Sequence, residues 1–344
     1  MKQFFVIAPL GLEEDLMREL REIEGFLLGA NGRPSPQGFA SVEVIKGGVL
    51  IEAEPLLALQ LHSFSKLASR LLMRIIKFRA TEFSILEKEL RKVDPKAWVG
   101  DAKFSLKVSA TRSKLGHEKR IFETASRAWR ALKPEDENPQ QRFYLRADQD
   151  QFELSLDLTG AHLHERGIAR DLGGLAPIRE TLAAALVRFL RQDEPASCLS
   201  QIHLMDPMAG SGTLISEAAH LDIPLFTRTF AFQSQPWIPK LLQSASFTQN
   251  YRLPAKVSAW AGFYAWDENP EARERLQELA RRQNLVLELK RGTEIKGARV
   301  WVIANPPYGE RLKAILTPEL LEILLAPQPE RVAVILPENL ARDL

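Results

Sequence analysis

The chain has 344 residues, 45% hydrophobic and 26% charged, which excludes a disordered or fibrous protein and is too long for one ordinary core. The single cysteine, Cys198, excludes an internal disulfide framework and fits a reducing cytosol, so a cytoplasmic location is expected. No apolar run approaches the ~18 residues that a membrane span needs, so no membrane partner is expected, and a net charge of +2 leaves partners to be read from how charge is distributed.

The opening Met1 to Pro9 superficially resembles a signal peptide, but Glu13, Glu14 and Asp15 follow without a long apolar stretch or a small-residue cleavage site. A first strand over Phe4 to Ala8 is expected instead. Leu12, Leu16, Leu20 and Ile23 share one helical face and predict a helix over Leu12 to Glu24. A Gly/Pro-rich loop, Gly29 to Gly38, and a strand over Ala40 to Ile45 follow. A mixed α+β region continues to about residue 158, with helices over Pro55 to His62 and Thr81 to Val93. Strands are expected over Lys103 to Ser109 and Phe152 to Asp157, with a basic helix between them reaching Lys133.

That basic segment carries the charge signal. Lys107, Arg112, Lys114, Lys119, Arg120, Arg127, Arg130 and Lys133 face only Glu118 and Glu123 between Ser105 and Lys133. Such an excess attracts a phosphate backbone, and a solvated helix face is the bland alternative.

From about Pro177 the pattern changes to alternating helices and short apolar strands. A helix is expected over Ile178 to Arg191 and another over Pro270 to Arg282. Strands are expected over Ile202 to Met205, Ala261 to Ala265, Leu285 to Lys290, Val300 to Ala304 and Val332 to Leu336. This predicts an α/β fold with a parallel sheet covered on both faces, whose ligands sit at the carboxyl ends of the strands.

Three motifs lie at such ends. Leu204-Met205-Asp206-Pro207-Met208-Ala209-Gly210-Ser211-Gly212-Thr213 runs from a strand through an acid and two glycines into a helix. No lysine stands where a phosphate-cradling loop needs one, and Ile215 occupies the third glycine of a dinucleotide fingerprint. A turn without a ligand is the alternative. Asp267 ends the next strand, where a ribose diol is gripped in doubly wound folds, although a cap on the helix after it is the simpler reading. The long separation from Gly212 is read as an aromatic-bearing insertion over the site, Phe226 to Lys256. Asn305-Pro306-Pro307-Tyr308 forms a stiff hook after a strand. An exocyclic base amine is a poor nucleophile, because its lone pair is delocalised into the ring. The Asn305 and Pro306 carbonyls are suited to accept its N–H bonds while Tyr308 stacks on the ring. A proline-stiffened loop is the alternative.

Taken together, Asp206 to Thr213, Asp267 and Asn305 to Tyr308 resemble motifs I, II and IV of the class I S-adenosyl-L-methionine-dependent amino-methyltransferases. Gly160 to Gly167, Asp171 to Leu182 and Gly309 to Leu312 are similar to the THUMP-domain guanine-N2 methyltransferases of ribosomal RNA, in particular the amino-terminal methyltransferase half of the bacterial 23S rRNA enzymes. The resemblance covers nearly the whole chain, including Ser109 to Arg120 in the THUMP region. It implies a ferredoxin-like region over 1–50, a THUMP RNA-binding domain over 51–160, a linker over 161–176 and a Rossmann-like methyltransferase domain over 177–344. It also implies that Asp206 holds the methionyl amino group, that Pro207, Gly210, Gly212 and Thr213 admit the cofactor, and that Asp267 binds its ribose. Pro177, Glu180 and Thr181 would line the methionine end. Structured RNA would dock on Arg112, Lys114, His117, Lys119 and Arg120.

The sequence departs from that family in three places. Ala209 stands where the family often has Cys. Arg291-Gly292-Thr293-Glu294 follows the strand that usually offers an Asp to adenine, leaving Glu294 as a weak substitute. The last two strands of the usual seven are unaccounted for. Transfer RNA as substrate, adenine-N6 methylation of DNA, or an inactive RNA-binding module remain alternative readings. His162 and His164 have no third ligand nearby and read as part of a linking turn, and no metal is expected.

Overall fold

A computed structural model of the chain describes residues 1–29, 38–130, 139–166, 178–192, 194, 196–223, 229–238, 259–306 and 317–336. It divides into two compact units, 1–163 with 225–252, and 164–224 with 253–344.

The first unit is built on a seven-stranded sheet in the order β2-β3-β1-β4-β7-β6-β5. These strands are β1 (Lys2–Ile7), β2 (Ser41–Ile45), β3 (Gly48–Ala53), β4 (Arg70–Arg79), β5 (Phe104–Thr111), β6 (Gln141–Asp148) and β7 (Gln151–Asp157). All neighbours are antiparallel except β5 and β6. Because β1 pairs with β3 on one side and β4 on the other, residues before and after position 50 share this one sheet. Helix α1 (Glu13–Gly29) buries Leu16, Leu20 and Ile23, as the apolar spacing predicts, and also Leu27 beyond the expected end, while Leu12 precedes it and is half-buried. Helices α2 (Pro55–Phe64), α3 (Phe83–Leu90), α4 (Pro95–Val99) and α5 (Glu118–Trp129) complete the unit. The expected helix over Thr81 to Val93 is shorter than predicted. The chain breaks before Asp94, whose side chain accepts from Lys96 N–H at 3.0 Å and starts α4 afresh.

The described part of the expected insertion, residues 229–238, belongs to this first unit. Phe230 and Phe232 are buried against His62, with ring centroids 5.1 and 5.3 Å from the imidazole. Gln235 Nε2 donates to Gln141 Oε1 at 2.8 Å and to the Asp157 carbonyl at 3.1 Å. The aromatic rings of these residues fill the core of the first unit. The remainder of Phe226 to Lys256 lies outside the described residues.

The second unit carries a parallel sheet ordered β10-β9-β8-β11-β12. Its strands are β8 (Ile202–Asp206), β9 (Gly262–Ala265), β10 (Leu287–Leu289), β11 (Arg299–Ala304) and β12 (Arg331–Val334). Helices are α6 (Glu180–Arg191), α7 (Ala196–Leu199), α8 (Thr213–His220), α9 (Pro270–Gln283) and α10 (Pro318–Leu325). β9 and nearly all of β11 are buried residue after residue, as strands covered on both faces must be. Met205, Tyr264, Val300, Val302, Ala304 and Leu324 form one core cluster. No described helix is long and apolar enough to cross a membrane.

Candidate active site

β8 delivers Asp206 to the carboxyl edge of the sheet with 1% of its surface exposed. Its Oδ1 accepts from Met208 N–H at 3.1 Å. Burial, helped by the nearby Asp267 charge and opposed by the Met208 hydrogen bond, pushes its pKa up to about 7. A carboxylate so poorly solvated as an anion gains from a cationic partner.

The loop after Asp206 is sewn to the tip of β9. Trp266 N–H donates to the Asp206 carbonyl, Ala209 N–H to the Trp266 carbonyl, and Gly210 N–H to Asp267 Oδ2, each at 2.9 Å. Gly210 and Gly212 hold positive φ values of 54° and 78°, which disfavour any side chain. Their surroundings differ. A Cβ on Gly212 would come within 2.5 Å of Leu279 Cδ2 and 2.8 Å of Leu276 Cδ2, so this glycine lets α9 approach. A Cβ on Gly210 would meet nothing within 4 Å among the described residues, so its free side faces open space among them, beside Asp267. Such a cradle lies next to a buried carboxylate with no counterion among the described residues. It fits a ligand carrying a cationic amine and a hydroxylated ring. Thr213 opens α8, its Oγ1 3.0 Å from Ser211 Oγ.

Asp267 is half-buried, and its Oδ1 accepts from Asn269 N–H at 2.9 Å. The cap of α9 is Asn269 rather than Asp267: Asn269 Oδ1 accepts from Glu271 N–H at 2.9 Å. Asp267 thus does not cap α9, and each of its carboxylate oxygens accepts one backbone N–H.

β11 lies against β8 with Val302 opposite Met205, so Asn305 leaves the sheet at the same edge as Asp206. Asn305 is half-buried and Pro306 buried. Pro207 is buried in the glycine loop. Glu180 and Thr181 open α6 and are 5% and 1% exposed. Pro177, Pro307 and Tyr308 lie outside the described residues.

Three features of the edge escape a reading of the sequence. Arg166 pairs with Glu217 at 2.8 Å, both side chains buried and 51 positions apart in the chain. Trp266 is flanked by the guanidinium groups of Arg273 and Arg291, 4.8 and 5.0 Å from its ring centroid. Glu294 Oε2 is taken by Arg291 N–H at 2.6 Å within a 3₁₀ turn, which argues against its replacing the missing adenine acid.

In the first unit Arg112, Lys114, His117, Lys119 and Arg120 are all exposed. The loop bearing them is pinned by Asp150, whose Oδ1 accepts from Lys114 N–H at 2.7 Å and Ser113 Oγ at 3.0 Å. Arg112 spends its fork on Asp148, with contacts of 2.8 to 3.1 Å, whereas Arg120 lies over the Phe83 ring at 4.2 Å. Among the described residues no group of three or more His, Cys, Asp or Glu side chains is placed to hold a metal ion.

Five parallel strands with the glycine loop after β8 define a class I methyltransferase fold. Residues 166–325 match the family model described as RMKL-like, methyltransferase domain, a family of S-adenosylmethionine-dependent enzymes. The chain is similar to the ribosomal RNA large subunit methyltransferases K/L of several bacteria. It is 29% identical to that of Syntrophotalea carbinolica over 340 residues, covering 90% of this chain and 45% of the relative. With that of Dichelobacter nodosus it shares 37% identity over 176 residues, covering 46% of this chain and 23% of the relative. The chain thus spans less than half the length of these curated relatives. Among solved structures, a Listeria monocytogenes protein titled "predicted N6-adenine-specific DNA methylase" has the same fold, at TM-score 0.73 and 23% identity over 97% of this chain and 87% of that one. SMU.472 complexed with SAH matches at TM-score 0.73 and 22% identity, over 97% of this chain and 89% of that one.

Proposed function

We propose that the chain transfers a methyl group from S-adenosylmethionine to the exocyclic N2 of a guanine in structured RNA, with 23S ribosomal RNA as the substrate. The observation that carries this reading is the arrival of Asp206, Asp267 and Asn305 at one edge, on the adjacent parallel strands β8, β9 and β11, beside the open face of Gly210. The names of the curated relatives support the RNA class.

In this reading Asp206 holds the methionyl ammonium, Asp267 the ribose hydroxyls, and Gly210 and Gly212 let the backbone come close. Pro207, Thr213, Pro177, Glu180 and Thr181 line the remaining walls. The cofactor supplies an electrophilic methyl on a sulfonium. The Asn305 side-chain carbonyl and the Pro306 backbone carbonyl accept the two N–H bonds of the guanine amine, turning its lone pair out of conjugation. Pro307 stiffens the hook and Tyr308 stacks on the base. The N–C bond forms as the C–S bond breaks, and the proton leaves to water once nitrogen carries positive charge, so no strong base is needed. Residues 1–50 act as a ferredoxin-like element and 51–160 as a THUMP domain. Joined by a linker over 161–176 to the catalytic domain, 177–344, they dock RNA through Lys114, His117, Lys119 and Arg120, with Arg112 at the margin.

The test is methyl transfer from labelled cofactor to unmodified ribosomal RNA, transfer RNA and DNA in parallel, followed by nucleoside analysis. N2-methylguanosine in ribosomal RNA is expected. Label in transfer RNA alone would reassign the substrate, and N6-methyladenine in DNA would overturn the guanine assignment.

A further inference from the structure

The pair of Arg166 and Glu217 has no part in the chemistry described above, yet it sits in the methyltransferase unit with both charges out of water. The Arg166 side chain is 4% exposed and that of Glu217 is 6% exposed. Arg166 Nη2 donates to Glu217 Oε2 at 2.8 Å and to the Glu180 carbonyl at 3.3 Å. Those two acceptors stand on different helices. Glu180 is the first residue of α6, followed by the buried Thr181. Glu217 is on α8, the helix that Gly212 and Thr213 open. One guanidinium therefore bolts the first turn of α6 to the helix behind the glycine loop. One nitrogen of a planar guanidinium, Nη2, serves both acceptors, and the rigid plane fixes direction as well as distance more tightly than a flexible lysine ammonium does.

We infer that Arg166 is a positioning residue that sets the spacing of the two walls of the cofactor site, the Glu180–Thr181 turn and the Gly210–Thr213 loop, through Glu217. The inference rests on the cofactor reading above. It separates two roles that a buried ion pair can have. Replacing such a pair by apolar side chains of similar size is often neutral or stabilising, whereas removing one partner strands a buried charge. Stability alone gives no reason to keep charges here; geometry does.

The experiment uses the full chain and S-adenosylhomocysteine as the probe, with its dissociation constant from calorimetry and the unfolding midpoint from urea. Arg166→Met alone strands Glu217 and is expected to lower the midpoint. The informative protein is Arg166→Met/Glu217→Leu. It is expected to keep a midpoint at or above that of the unaltered chain while binding the probe at least tenfold more weakly. Arg166→Lys is expected to fall between, because charge is retained and the rigid planar group is lost. A double variant that folds and binds like the unaltered chain overturns the positioning role. A double variant that loses midpoint and affinity together, in proportion to its unfolded fraction, also overturns it, because the pair is then only structural. An unaltered chain that does not bind the probe removes the cofactor reading itself and this inference with it, a result distinguishable from the other two.

Discussion

Asp206→Asn tests the centre of the site because it leaves shape intact and removes only the titration. The amide oxygen it introduces still accepts from Met208 N–H, as the carboxylate Oδ1 does in the native chain, so the loop keeps its anchor. In the native chain the acid is raised from 3.8 to about 7, chiefly by burial. A raised carboxyl pKa means that the folded state holds its proton more tightly than the unfolded chain does. Its contribution is therefore favourable at low pH and is lost as pH climbs towards 7. Between pH 5 and 8 the unfolded chain has already released this proton, and the folded chain keeps it for roughly two units, at 1.36 kcal/mol per unit. The unaltered ligand-free protein should thus lose about 3 kcal/mol relative to Asp206→Asn across that window. Urea unfolding of both proteins at pH 5, 6, 7 and 8 measures the difference directly, and groups elsewhere cancel. Calorimetry with S-adenosylhomocysteine supplies the other half. Loss of a charge-assisted hydrogen bond worth about 1.5 to 3 kcal/mol should weaken binding roughly 10- to 100-fold at pH 8. The native affinity should also fall below pH 7, where proton and ammonium compete for the same carboxylate. Stability curves that run parallel through the whole pH range would show that Asp206 is not the group being titrated. Equal affinities at pH 8 would show that it does not meet the amine.

Asn305→Ala should abolish turnover in the labelled-cofactor assay while S-adenosylhomocysteine binds within about threefold of the native value; equal loss of both would make Asn305 structural. Gly212→Ala meets Leu279 and Leu276 as well as a φ of 78°, and should lower the urea-derived stability by about 1 to 3 kcal/mol. Gly210→Ala, facing open space, should cost less stability but block the probe, so a comparable drop in both folding energies would refute the distinction between the two glycines. Charge reversal at Lys114 and Arg120 should weaken RNA binding and flatten its salt dependence by about one unit of log–log slope per lost phosphate contact. Arg112→Ala, already neutralised by Asp148, should leave the slope nearly unchanged, and an equal effect from all three would assign the surface to diffuse charge.

Why the strand-tip chemistry is legible in one sequence, and the rest not, follows from range. β8, β9 and β11 are buried on both faces, so they appear as unbroken apolar runs whose ends mark the carboxyl edge. Asp206, Asp267 and Asn305 can therefore be read as neighbours before any coordinate is known. β3 and β6 carry the weaker period-two signal, Val49, Ile51 and Ala53 in one, Phe143, Leu145 and Ala147 in the other, and do not stand out from the mixed region around them. β4 is harder in principle. A register shift between Arg74 and Ile76 breaks its alternation, and it begins on Arg70, a buried cation that makes sense only once Asp157, 87 positions away, is seen to pair with it. The same holds for Arg166 and Glu217. A charge in a helix pattern is read as solvent-facing by default, and only a partner brought in by the fold reverses that assignment. The aromatic stretch around Phe230 and Phe232 announces that it must be buried but not in which core, so its membership in the first unit is beyond periodicity. Local chemistry is written where backbone and ligand meet within a few residues. The supports that hold that chemistry in register are pairwise and distant, and these are the residues at which double variants carry more information than single ones.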